Sequence, residues 1–209
     1  MIRKELRMRI LSSIILVPLS LFFIIQGSHI FNFFILICFI ITNYEWYKMA
    51  KNKIYYIVGI IFLIFSFYTI YALRNELNYV VFLFIVLVCI SSDIGGYVFG
   101  KIFKGPKLTK ISPNKTYAGV IGGYLLSMIC LNVLLNSNYF LIKPFEITFD
   151  FFIFVLLISS VSQLGDIIVS YFKRLSKIKD TGKIIPGHGG LLDRIDGMIF
   201  AYPFAYLIL

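Results

Sequence analysis

Seven stretches of mostly apolar residues follow one another along the chain, near residues 10–27, 29–47, 54–73, 78–100, 117–136, 149–172 and 193–209. A helix of ~20 residues, rising ~1.5 Å per residue, crosses the ~30 Å hydrocarbon core of a bilayer and satisfies its own backbone polar groups there. The pattern therefore predicts an all-α, polytopic membrane protein with about seven transmembrane helices. Composition agrees, with 59% hydrophobic residues, 14% charged residues and a mean hydropathy of +0.89. The polar connections, roughly twenty residues at most, carry too few apolar side chains to build a core of their own. One membrane domain over residues 1–209 is expected, with N-terminal spans in 1–76 and the spans and loops that carry chemistry in 77–209. Pro18 and Pro203 fall inside spans, where neighbouring helices or water can satisfy the freed carbonyls.

The formal net charge is +10, and its placement argues for topology rather than for nucleic acid. With a cytoplasmic N-terminus, four segments collect the cations on one side: Arg3, Lys4, Arg7 and Arg9; Lys48, Lys51 and Lys53; Lys101, Lys104, Lys107, Lys110 and Lys115; and Lys173, Arg174, Lys177, Lys179, Lys183 and Arg194. Arg74 and Lys143 fall outside them. The basic start before an apolar run imitates a secretory signal, but no small-x-small cleavage pattern follows, so it reads as a retained first span. Cys38, Cys89 and Cys130 lie inside apolar stretches without paired ligand spacing and read as packing residues.

Acidic residues inside spans are costly and mark function. Asp93 precedes Lys101 by eight residues and Asp166 precedes Lys173 by seven, which puts both acids roughly 10–12 Å inside the cytoplasmic ends of their helices. Asp193 and Asp196, three apart, share a helix face, and the last span is long enough only if it includes them. These four acids are expected to converge on a wet cavity open to the cytoplasm. Clustered carboxylates stay ionised when a cation sits among them, and Mg²⁺ takes one or two carboxylates plus substrate phosphates. Nearby, Gly187, Gly189 and Gly190 flank His188 and permit close backbone approach to a phosphate. The loop Lys107–Thr116 mixes cations, hydroxyls and an amide just ahead of a helix, which also suits a phosphate. Gly119 with Gly123 reads as a close helix contact. The constellation suggests a metal-bound nucleotide meeting a lipid headgroup. An ion- or proton-coupled transporter would use the same acids as a relay, yet would leave the glycine-rich, cation-dense loop without a task.

The order Ser170-x-x-Lys173-Arg174, Lys179-Asp180-x-Gly182, Pro186-Gly187-His188-Gly189-Gly190, Asp193-Arg194-x-Asp196 resembles the signature of phosphatidate cytidylyltransferases, also called CDP-diglyceride synthases. Ser92-Asp93 with Gly95, Tyr97, Gly100 and Lys101, then Lys110 to Thr116 with Gly122-Gly123, and Ser162-Gln163-x-Gly165-Asp166 resemble further blocks of that family in order. The resemblance covers about residues 91–197; the first spans share hydrophobicity and the pair Glu45-Trp46. It implies transfer of the cytidylyl group of CTP to phosphatidic acid, giving CDP-diacylglycerol and pyrophosphate, in a multi-pass protein of the cell (inner) membrane with its active site facing the cytoplasm. Mg²⁺ is implied, and a monovalent cation such as K⁺ is compatible with the family. Asp166 and Asp193 are then the principal metal ligands, with Asp93 and Asp196 as second choices. Lys173, Arg174 and Arg194 would neutralise phosphates. Ser112, Asn114, Lys115, Thr116, Ser170, Lys179, Asp180, His188, Gly189 and Gly190 would help bind substrate. A homodimer is one assembly open to such a chain, and bilayer lipids are its partners. Val169, Ile94 and Ala118 stand where the family commonly has Glu, Thr and an acidic or amide residue, which thins the polar shell. A CTP-dependent enzyme acting on another lipid phosphate, or an inactive member, would carry much the same motifs.

Overall fold

The computed structural model describes residues 2–77, 79–109, 111–136 and 148–209, with side chains from residue 7 onward. Lys110 and Lys143, together with the side chains of Arg3 and Lys4, lie outside the described residues. The elements are α1 (Ile2–Gln26), α2 (Ser28–Ala50), α3 (Tyr56–Glu76), α4 (Tyr79–Phe103), α5 (Tyr117–Asn136), α6 (Phe149–Leu175), α7 (Leu192–Ile195) and α8 (Met198–Ile208). Among the described residues there is no strand, only isolated bridges Lys107–Thr116 and Ile185–Gly189. Six helices are long and apolar enough to cross a bilayer. This is a multi-pass, all-α membrane protein.

The expected seventh span, 193–209, is present as the single turn α7 and the 11-residue α8. The two join through Asp196 and Gly197, whose backbones keep right-handed helical torsions (φ −57°, ψ −38° and φ −72°, ψ −39°). Gly197 presses on the Ser162 hydroxyl and backbone so closely that a side chain there would collide.

The helices group into two compact units, one through Tyr79 together with Phe172–Asp196, the other Val80–Tyr171 with Gly197–Leu209. The loop after α6 thus joins the first three helices rather than the later spans. In that first unit, Gly27 separates α1 from α2 with φ +64°, a left-handed conformation that favours glycine. Arg74, at the end of α3, donates to the carbonyls of Ile24 and Ile25 at 2.7 and 3.2 Å. That is the task of the cation that the sidedness pattern left over: it satisfies carbonyls that the end of α1 leaves open. Trp46 fixes α2, donating its indole N–H to the Tyr56 carbonyl at 3.1 Å and packing edge-on against Tyr55 and Phe172.

In the second unit, α4 and α5 meet through glycines. A side chain at Gly95 would strike the Gly122 carbonyl, and one at Gly119 would stand 2.7 Å from the Gly96 carbonyl. The expected small-residue contact is therefore present and extends to the glycines that follow Asp93. Phe84, Ile85, Val88, Leu131, Val155, Ile158 and Ala201 of this unit are wholly buried.

Candidate active site

The motif side chains fall into two groups, one in each unit. In the second unit, a cleft of about 280 Å³ is lined by Ser92, Asp93 and Tyr97 of α4, by Ser112, Asn114, Lys115 and Thr116 of the loop before α5, and by Gln163 and Asp166 of α6. The loop is a folded object. Leu108 N–H donates to the Lys115 carbonyl at 2.8 Å, Lys115 N–H to the Ser112 carbonyl at 3.0 Å, and Ser112 N–H to the Thr109 hydroxyl at 3.1 Å. Thr116 then caps α5 by accepting the Gly119 N–H at 3.1 Å, the usual work of a hydroxyl at a helix start. Lys115 Nζ is 2.6 Å from Asp166 Oδ2 and donates to the Gln163 carbonyl at 3.3 Å. Ser170, one turn further along α6, donates to Asp166 Oδ1 at 3.3 Å. Below, Gln163 Nε2 donates to the Ser92 and Ser159 hydroxyls at 3.1 and 3.2 Å. Asp93 and Asp166, expected at one depth, do share this cleft.

In the first unit, the Asp193 carboxylate is held on both oxygens. Oδ1 receives Lys173 Nζ at 3.0 Å; Oδ2 receives the backbone N–H groups of Thr181 at 2.8 Å and Gly190 at 3.0 Å. Lys173 Nζ is also 3.9 Å from Asp196 Oδ2, so the pair expected on one helix face does converge, on a lysine. Arg194 donates twice to the His188 carbonyl, at 3.1 and 2.7 Å. The half-buried His188 ring hydrogen-bonds Ser12 Oγ at 2.9 Å through Nδ1 and Ser13 Oγ at 3.4 Å through Nε2. Arg9 donates to the Gly187 carbonyl at 2.8 Å. Burial pushes the His188 imidazole below its ordinary pKa, and the Arg194 and Arg9 charges push the same way. Gly189 has φ +90°, and a side chain there would press on Asp193 Oδ2. Arg174 is exposed and donates to the Ile178 carbonyl at 3.3 Å; Lys179 and Asp180 are exposed on the same loop.

Sequence reasoning passed over Glu45 as a site residue. It is 1% exposed on α2 and accepts hydrogen bonds from Leu191 N–H at 3.0 Å, Leu192 N–H at 2.8 Å and the Thr181 hydroxyl at 3.1 Å. The available signal was its being the one acid in an apolar stretch, 29–47.

A model of the Cytidylyltransferase family matches residues 54–209. The chain belongs to this family. Phosphatidate cytidylyltransferase of Rickettsia bellii is 33% identical over 211 residues, covering 99% of this chain and 91% of that protein. The Rickettsia felis protein of the same name is 32% identical over 212 residues, 99% of this chain and 93% of its own length. That of Staphylococcus saprophyticus is 35% identical over 179 residues, 82% of this chain and 66% of that protein. The resemblance read from the motifs is the one these comparisons show, and in this chain the cleft and the Asp193 loop hold the motif residues.

The donor chemistry fits Mg²⁺ in its usual form. Among the described residues no group of three or more His, Cys, Asp or Glu side chains gathers to cage an ion. Asp93 and Asp166 line one cleft, and one or two such carboxylates suit an ion that completes its shell with water and substrate phosphate.

Proposed function

We propose that this chain transfers the cytidylyl group of CTP to phosphatidic acid, giving CDP-diacylglycerol and pyrophosphate. The observation that carries the reading is the near full-length match to proteins named phosphatidate cytidylyltransferase. A phosphatidate oxygen forms a bond to the α-phosphorus of CTP, the bond from that phosphorus to its bridging oxygen breaks, and pyrophosphate departs. A phosphate monoester is already an anionic nucleophile, so the protein needs no general base. Its task is to bring two anions together and hold them in line. Lys115, Ser112, Asn114 and Thr116 supply a cation, hydroxyls and an amide along one wall of the cleft, suited to the nucleotide. Lys173, Arg174 and Arg194 supply positive charge for phosphate oxygens. The motif reading assigns Asp166 and Asp193 to Mg²⁺, which when bound would neutralise phosphate charge; of these Asp166 lines the cleft, together with the second choice Asp93. The motif-bearing loops face the cytoplasm of the cell membrane, where CTP is found and where the cations of the positive-inside pattern accumulate.

The test is purified protein in detergent micelles with CTP, phosphatidic acid and Mg²⁺. Pyrophosphate and CDP-diacylglycerol should appear together and only when all are present. Formation of neither, or pyrophosphate release that ignores the lipid, would overturn the reading. Ion flux in sealed vesicles without CTP would favour a transporter instead.

A further inference from the structure

We infer that Glu45 is a positioning residue that fixes the loop bearing Asp193; the inference rests on the functional reading above. Burying a carboxylate on a mostly apolar helix is unfavourable unless its oxygens are fully engaged. Here Glu45 accepts from the segment after α6: the Thr181 hydroxyl and the N–H groups of Leu191 and Leu192. The neighbouring donors of that segment go to Asp193, namely Thr181 N–H and Gly190 N–H. Thr181 is therefore shared, with its hydroxyl on one carboxylate and its amide on the other. Residues 190–192 are shared in the same manner, the first amide to Asp193 and the next two to Glu45. A shift of Glu45 moves the donors that orient Asp193.

The glycines of the motif corroborate the arrangement. A side chain at Gly182 would collide with Glu45 Oε1, and one at Gly190 would come within 2.6 to 2.7 Å of both Glu45 oxygens and strike the Thr181 hydroxyl. Two motif glycines are thus small because Glu45 occupies the adjoining space. Trp46, the next residue, fixes the rotation of α2 through its bond to Tyr56. The donors that engage both Glu45 oxygens belong to the loop, so it acts through the loop.

Glu45→Gln in the full-length protein tests this, because the amide NH₂ puts a donor among donors. With CTP, phosphatidic acid and Mg²⁺, kcat should fall on the order of 100-fold, the scale of a small misplacement of a reacting group. The KM for CTP should change less than about threefold, as expected when binding is spared and a transition-state arrangement is lost. Amide hydrogen exchange at residues 190–192 should accelerate while that of α3 stays as in the wild type. Thr181→Val, which removes only the hydroxyl donor, should lower kcat about 10-fold, and Thr181→Ser should recover most of that loss. A folded Glu45→Gln protein with wild-type kcat overturns the inference, as does a loss that only tracks the fraction of folded protein. If Glu45→Gln does not fold, wild-type kcat in Thr181→Val overturns it. If the wild type makes no CDP-diacylglycerol, the functional reading alone fails. Exchange in Thr181→Val then decides: acceleration at 190–192 supports the positioning role, and unchanged exchange removes it.

Discussion

Replacing Asp193 with Asn should separate two tasks of one carboxylate. Its oxygens receive Lys173 Nζ, Thr181 N–H and Gly190 N–H. An asparagine offers one acceptor oxygen, and either orientation of its amide sets NH₂ against Lys173 or against the two backbone donors. The pair is well shielded, with side-chain exposures of 11% for Lys173 and 5% for Asp193. Removing one member of such a pair typically costs 3–5 kcal/mol. Asp196, 3.9 Å from the ammonium, retains part of the attraction, so the low end, about 3 kcal/mol, is expected. For a chain of 209 residues that corresponds to roughly 6–12 °C in Tm. Activity should be nearly abolished. The double variant Lys173→Met with Asp193→Asn removes the stranded ammonium, so its Tm should recover at least half of the loss while activity stays absent. Melting of detergent-solubilised protein, followed by the monodisperse fraction after heating, together with pyrophosphate release, reads both. An unchanged Tm in Asp193→Asn would refute the loop-holding argument; full activity would refute the metal assignment.

Lys115→Met should lower kcat/KM for CTP about 10-fold through loss of a charge-assisted contact with little change in Tm, because the Lys115 and Asp166 side chains are 23% and 29% exposed; steady-state kinetics at varied CTP check this. Gly119→Ala, whose methyl group would stand 2.7 Å from the Gly96 carbonyl and 3.3 Å from the Thr116 hydroxyl, should destabilise by about 1–3 kcal/mol, seen in the same melting assay. His188 has a lowered pKa, so the unfolded chain binds its proton first as pH falls. The His188 contribution to stability is intact above about pH 6.5, the unfolded value, and is lost as pH drops through that value toward the folded one. His188→Gln should flatten that acid limb, as measured by Tm against pH. Chelation of divalent ions should stop turnover, and Mg²⁺ should restore it.

Much of the fold was legible because a bilayer imposes a length and a polarity on every span. The windows beginning near 54, 78, 117 and 149 correspond to α3 through α6, and the glycines of α4 and α5 stood out as small residues at helical spacing. The last window holds α7 and α8, but the close fit of Gly197 against Ser162 between them could not be read from hydropathy. Asp93 and Asp166 could be placed at one depth from helix rise alone, since each lies on a long helix with a basic end. Which donors each acid would accept could not be read in that way.

The sequence by itself determined the class of the protein, its spans and the motif residues of its chemistry, because hydrophobic length and fixed motif spacing are local properties of the chain. Only the tertiary structure decided that Lys173, Thr181 and Gly190 clasp Asp193 and that Glu45 holds the same loop. Glu45 is separated from its partners by 136 to 147 residues. No periodicity links residues that far apart. Their meeting follows from how α2 packs beside the loop after α6 and from the need of a buried carboxylate to find donors.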